Sequence, residues 1–177
     1  MMMEYCFIIK SMMKDCFLDE LDLRLLAELQ RDASRSNQAL ADCLGVAPAT
    51  TLRRVRRLVE LGVIERQLAL LNPDRLAQAI GHGLNALVEV SLDRQGAEHL
   101  DAFEARAVAD PAVQQCWRVS PGPDFVLVVA VRDMPGYQAL AQRLFTQDAN
   151  VRNVRAFFSL KRAKFAPALP LPEPAQD

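Results

Sequence analysis

Ala47-Pro48-Ala49-Thr50-Thr51-Leu52-Arg53-Arg54-Val55-Arg56-Arg57-Leu58-Val59-Glu60-Leu61-Gly62 reads as a helix with both ends marked. Pro48 suits the first helical turn, because its missing N–H would go unpaired there in any case. Gly62 suits the residue just past the end, where left-handed backbone is cheap. Leu52, Val55, Leu58, Val59 and Leu61 gather on one side at helical spacing, so that side is expected to be buried. At about 100° per residue, Arg53 and Arg57 fall opposite it, with Thr50 near them and Arg54 and Arg56 towards the flanks. Four arginines against one glutamate make a local excess of positive charge. Such a helix, with Pro48 and Ala49 as a slim start, fits the DNA major groove, where arginine forks match guanine edges and phosphates. On this reading Thr50, Thr51, Arg53 and Arg57 contact bases or phosphates, and Arg54 and Arg56 position the helix on the DNA backbone.

Arginine-rich faces are common on amphipathic helices, so the segment upstream decides the matter. Leu18 to Arg31 forms a first helix, with Leu21, Leu25, Leu26 and Leu29 on one face and Asp19, Glu20 and Asp22 at its start, where the helix dipole favours negative charge. Asp32 to Asn37 is a polar break. Ser36 or Asn37 caps a short second helix containing Leu40, Ala41 and Leu44, and Gly45 ends it. Val46 is expected to plug the space between that helix and the next. Helix, short helix, tight glycine turn and cationic helix together make the helix-turn-helix layout, in which the last helix is presented to the groove.

The rest of the composition sets limits. Net charge is −1, with 10 basic and 10 acidic residues before Asn72 and 11 and 12 from there on, so any nucleic-acid contact comes from a local patch and not from bulk charge. Cys6, Cys16, Cys43 and Cys116 are too scattered for a disulfide framework or a CxxC metal site, which points to free thiols in a reducing cytoplasm. His82 and His99 are the only histidines. No apolar run approaches the roughly 18–20 residues that span a bilayer, so no membrane partner is expected. Met1 to Ile9 is apolar but is interrupted by Lys10, Lys14 and Asp15 and lacks a cleavage site. Residues 1–17 are therefore expected to be a disordered or peripheral extension, with Met12 or Met13 as the start. No phosphate loop, carboxylate pair or Ser/His/Asp set occurs, so neither catalytic residues nor a cofactor or metal is expected.

Gly62 to Leu71 reads as a linker strand closed by Asn72-Pro73, and Asp74 to Ile80 as further linker. From Leu84 the pattern changes. Leu84–Leu92, Val113–Ser120, Asp124–Val131 and Val151–Lys161 read as strands. Gly96–Val108 reads as a helix burying Leu100, Phe103 and Ala107, and a second helix from Met134 or Pro135 to Thr146 buries Tyr137, Leu140, Leu144 and Phe145. The run Phe125–Val131 is apolar enough for both its faces to be covered. The order β-α-β-β-α-β is the ferredoxin-like split arrangement, with both helices on one face of the sheet. The other face needs a partner, and a second copy of the chain is the economical one. Trp117 reads as sheet or interface packing, Arg118 and Arg132 as solvated charges, and His82 as a linker residue. At the turn before the third strand, Asp124 is open between capping the turn and contacting a ligand. From Ala166 the chain is proline-rich and should lack regular structure.

This order resembles the Lrp/AsnC family, the feast/famine regulators of transcription. The resemblance rests on Leu18-Asp19-Glu20-Leu21-Asp22 with Leu25–Ser34, on Leu40–Pro48, on Arg54–Ile64, on Leu71-Asn72-Pro73 and on Val88-Glu89-Val90. In the second half it rests on Cys116, Ser120, Asp124-Phe125, Asp133-Met134 and Tyr137. It implies an α+β chain with a winged-type helix-turn-helix domain at 18–64 and a linker strand at 65–82. A ferredoxin-like, ACT-like (RAM) sensing and oligomerisation domain follows at 83–165, then a flexible tail at 166–177. It further implies a cytoplasmic regulator that binds double-stranded DNA as a homodimer, or as an octamer assembled from such dimers. A small effector, usually an amino acid, would sit where dimers meet, near the turn between the second and third strands, with Ser120, Gly122, Asp124 and Tyr137 as its contacts. Two departures bear on the effector. Pro121 stands where the family commonly has glycine, which removes an N–H that could hold a carboxylate, and Ala156 falls where threonine is frequent. Some proteins resembling this family instead act on siroheme in haem d1 synthesis. That role calls for histidines in the sensing domain, where this chain has only His99, and would release the arginine helix from its duty. A third reading is a self-associating metabolite sensor that binds no DNA.

Overall fold

The computed structural model describes residues 18–81 and 83–172. The extension 1–17, His82 and the last tail residues, 173–177, lie outside the described residues. One compact unit is built from the chain up to Ala69 together with the segment from Phe165, and the other runs from Leu70 to Lys164.

The first unit holds α1 (Glu20–Arg31), α2 (Asn37–Leu44) and α3 (Pro48–Glu60). Each start and stop has a visible cause. Asp19 and Asp22 form a reciprocal capping box on α1, and Ser36 Oγ accepts the Ala39 N–H of α2. Gly45 closes α2 in the left-handed region at φ 69°, and the Val46 N–H then returns to the Ala41 carbonyl. Pro48 opens α3 at its first turn. Leu25, Leu40 and Leu58 are fully buried at the centre of the head, with Leu26 and Leu44 beside them and Val46 and Val55 packed against the edge. Each such leucine stabilises the head by about 1.5–3 kcal/mol.

Three expectations for this region are corrected. Of the apolar side chains assigned to the buried face of α3, Leu52, Val59 and Leu61 are 36%, 50% and 39% exposed. The helix buries a narrower stripe, through Thr51 and Leu58 with Val55 half-buried, where among the described residues α1 and α2 are the helices packed against it. Residues 65–72 form no strand and show no wing, and Leu68, Leu70 and Leu71 stand 65–70% exposed. A strand must pair its N–H and C=O groups, and among the described residues this segment has no strand beside it. Asn72-Pro73 is not a plain turn but the start of α4 (Pro73–Ile80), with Asn72 Oδ1 accepting the Arg75 N–H.

The second unit is the β-α-β-β-α-β arrangement: β1 (Leu84–Leu92), α5 (Ala97–Ala109), β2 (Val113–Arg118), β3 (Phe125–Val131), α6 (Met134–Ala141) running on into a π-turn at Gln142–Thr146, and β4 (Val151–Phe158). The four strands lie in the order β2-β3-β1-β4, all neighbours antiparallel. Alternate residues of the two central strands, Ala86, Val88, Val90 and Leu92 with Phe125, Leu127, Val129 and Val131, are buried against Phe103, Ala107, Leu140, Leu144 and Phe145 of the helical layer. The opposite face is open in one chain: Leu87, Trp117 and Phe157 are 48%, 58% and 53% exposed. The expectation that both faces of β3 are covered therefore holds for one face only, and Val126, Val128 and Ala130 remain half-buried. Arg118 is not a free charge, since it pairs with Asp101 and Glu104 of α5 and lies over the Phe125 ring.

Candidate nucleic-acid interface and effector region

The setting of α3 is fixed by carboxylates at the start of α1. One nitrogen of Arg54, Nη1, donates to both oxygens of Asp19, at 2.8 and 2.7 Å, and to Oδ1 of Asp22 at 2.7 Å. Arg57 Nη1 donates to the other oxygen of Asp22 at 2.9 Å. The Asp22 side chain is 1% exposed, so its charge is neutralised by two guanidinium groups in place of water. The Arg54 guanidinium, with the Asp22 N–H, holds the Asp19 carboxyl below the usual aspartate range, and the two carboxylates, Asp22 foremost, raise the Arg54 pKa in return. The same two acids cap α1, so one cluster both starts the first helix and orients the third.

This cluster revises the assignment of α3. Thr51, read as a DNA contact, is 1% exposed between the helices, so its side chain cannot reach a groove. Arg54, read as a backbone-positioning contact, is spent inside the head, and Arg57, read as facing outward, is bent back to Asp22 with its side chain 41% exposed. The face left to solvent carries Pro48, Ala49, Arg53 and Arg56, with Thr50 half-buried at its edge. Neither Arg53 nor Arg56 has an ion pair among the described residues. Helical spacing alone ranks the four arginines by angle. It cannot register that two of them find acids, one of them buried, some 32–35 residues earlier in the chain. The acids themselves were legible only as favourable charges near a helix N-terminus.

In the second unit, the turn between β2 and β3 gathers Ser120, Gly122 and Asp124. Ser120 and Gly122 are exposed, and Gly122 has φ 127°. Asp124 is built into the sheet frame: its Oδ2 accepts the Leu92 N–H at 2.6 Å, its own N–H donates to the Val90 carbonyl, and its carbonyl accepts the Val119 N–H. That is the capping alternative. Tyr137 stands apart on α6, its ring edge-on to Phe158 with centroids 4.9 Å apart. Burial pushes its hydroxyl pKa up. It lines a shallow hollow of about 250 Å³ with Phe145, Arg152 and Asn153, which none of the three turn residues lines. No group of three or more His, Cys, Asp or Glu side chains set to hold a metal occurs among the described residues. No described helix is long and apolar enough to cross a membrane.

Known proteins resemble both units. Residues 18–59 match the AsnC-type helix-turn-helix domain, and residues 85–169 match the Lrp/AsnC ligand binding domain. A leucine-responsive regulatory protein of Rhizobium meliloti is 37% identical over 149 residues, covering 84% of this chain and 93% of that protein. The Bkd operon transcriptional regulator of Pseudomonas aeruginosa is 36% identical over 154 residues, covering 87% and 98%. Among solved structures, a transcriptional regulator from Neisseria meningitidis in complex with L-Met superposes with a TM-score of 0.75 at 26% identity, covering 87% of this chain and 97% of that one. With a matching head, a matching sensing domain and relatives that align along nearly their whole length, the chain belongs to the Lrp/AsnC family of transcriptional regulators.

Proposed function

We propose that this chain is a sequence-specific DNA-binding regulator that works as a homodimer in the cytoplasm, by binding and not by catalysis. Arg53 and Arg56 are its primary DNA contacts. The observation that carries this is the split among the four arginines of α3: Arg54 and Arg57 are anchored on Asp19 and Asp22, while Arg53 and Arg56 face solvent with no ion pair among the described residues. A rigid helix with two outward guanidinium groups is pre-ordered for base edges or phosphates. Thr50, Pro48 and Ala49 line its approach. In a dimer two such helices enter successive major grooves roughly 34 Å apart.

The effector is a small amino acid, the ligand class seen in the Neisseria relative. Ser120 and Gly122 are its contacts at the exposed turn, while Asp124 acts by holding that turn to β1. Tyr137 completes such a site only when supplied by another copy of the chain. Dimers that meet at this turn, up to an octamer, would provide it. Ligand binding then shifts the balance between assemblies in proportion to its differential affinity for them.

The test is binding to duplex DNA from upstream of the protein's own gene, followed by fluorescence anisotropy with and without a panel of amino acids. Arg53→Ala is expected to weaken specific binding about tenfold or more, in line with a lost bidentate arginine–guanine contact, with the circular dichroism melt unchanged. Wild-type affinity in an Arg53→Ala, Arg56→Ala double variant would sink the assignment.

A further inference from the structure

The proline-rich segment after β4 has no helix or strand, yet it is seated on the head. The Gln30 side chain of α1 grips the Leu169 backbone at both ends of its amide: Leu169 N–H donates to Oε1 at 2.6 Å, and Nε2 donates to the Leu169 carbonyl at 3.1 Å. Two residues on, Leu171 packs against the leucine core that includes Leu25, Leu40 and Leu58. The segment borders a hollow of about 470 Å³ that it shares with Leu23, Ala27, Cys43 and Leu44. The sequence Ala168-Leu169-Pro170-Leu171-Pro172 suits this seat. Its prolines bias the chain to an extended form, so little entropy is lost on docking. They also remove two N–H groups that would otherwise need partners on an apolar surface, and the Leu169 N–H has its partner in Gln30.

We propose that residues 168–172 are a working part of the head: a strap that fastens the chain leaving the sheet onto α1 and α2. The head is then tied at both of its ends, by the linker after α3 and by the strap after β4. A second tether narrows the head's orientational freedom. In a dimer it raises the effective concentration of the second head at its half-site.

The experiment compares the full chain with Leu171→Asp, with Gln30→Ala and with a chain ending at Phe165, by backbone hydrogen exchange. Amides of α1 and α2 are expected to exchange about tenfold faster in Leu171→Asp and in the shortened chain, as one leucine's burial predicts, while β1–β4 amides keep their wild-type rates. Leu171→Met is expected to restore protection. Unchanged exchange in α1 and α2 overturns the strap, whatever the DNA result. A second arm rests on the proposed DNA-binding reading: duplex affinity of Leu171→Asp is expected to fall several-fold with Arg53 and Arg56 intact. Faster exchange with wild-type affinity overturns the strap's part in DNA binding and leaves that reading standing.

Discussion

With its side chain 1% exposed, Asp22 meets Arg54 at 2.7 Å and Arg57 at 2.9 Å, and so ties the start of α1 to the middle of α3. Breaking a pairing of this kind by deleting one partner costs about 3–5 kcal/mol, because the remaining charge stays out of water. That is a large share of what a small three-helix head can supply. Asp19, also paired with Arg54 but more exposed, has a different signature. Its folded pKa lies below the ordinary aspartate value of about 3.9, first because of the Arg54 hydrogen bond and next because of the Asp22 N–H. A carboxyl whose pKa is depressed by folding contributes stability that is complete above the unfolded value and is lost as pH falls through the folded one. Asp110, depressed chiefly by Arg143, adds the same dependence in the second unit. The helical signal of the head is therefore expected to melt at falling temperature as pH drops below about 4. Asp19→Asn should flatten that decline while lowering the melting temperature at neutral pH. A melt whose pH dependence is identical in Asp19→Asn would remove Asp19 from the linkage.

Among the elements, α3 starts on Pro48 without a side-chain cap and is closed at its other end by backbone bonds. The Gly62 N–H donates to the Val59 carbonyl and the Val63 N–H to the Leu58 carbonyl, the paired bonds of a Schellman close, with Gly62 at φ 70°. A Cβ at Gly62 would meet nothing within 4 Å, so the cost of Gly62→Ala is one of backbone conformation alone. It is expected to destabilise the chain by about 1 kcal/mol in urea titration, with Gly62→Asn costing less. A loss several times larger would mean that the close transmits into the linker. The ends of α3 could be read from Pro48 and Gly62, because capping is local chemistry. The burial of its faces could not, because Thr51 and Leu52 differ in what lies beside them and not in their own preference. The linker shows the converse: its apolar residues favour a strand, but a strand exists only where a partner satisfies its backbone.

For the whole molecule, the open sheet face is an apolar surface that a single chain leaves uncovered. Leu87 on β1, Trp117 on β2 and Phe157 on β4 each stand about half exposed, with Val126 and Val128 of β3 between them. The Glu89–Arg155 ion pair supplies the one charge match among the described residues there. Proposed pairing of two chains through this face predicts that Phe157→Asp and Trp117→Asp shift the protein from dimer to monomer in light scattering, since a charge buried without a partner is costly at an interface. With the heads uncoupled, duplex affinity should fall while the salt slope per chain stays near that of wild type, because each head keeps its own phosphate contacts. Dimers that persist in both variants would move the interface elsewhere.

By itself the sequence determined the helix-turn-helix head, the β-α-β-β-α-β unit and the cationic character of α3, but not the linker, where the expected strand is absent and α4 stands. What it determined follows from local rules: hydrophobic period, caps, and glycine and proline punctuation. Tertiary structure alone decided which arginines of α3 are held inside the head, because Arg54 and Arg57 pair with acids distant in the chain. It also decided that Asp124 braces β1 and that the tail returns to α1. Each depends on which groups meet in space, and charge pairing and backbone satisfaction are settled by proximity, which spacing along a chain does not encode.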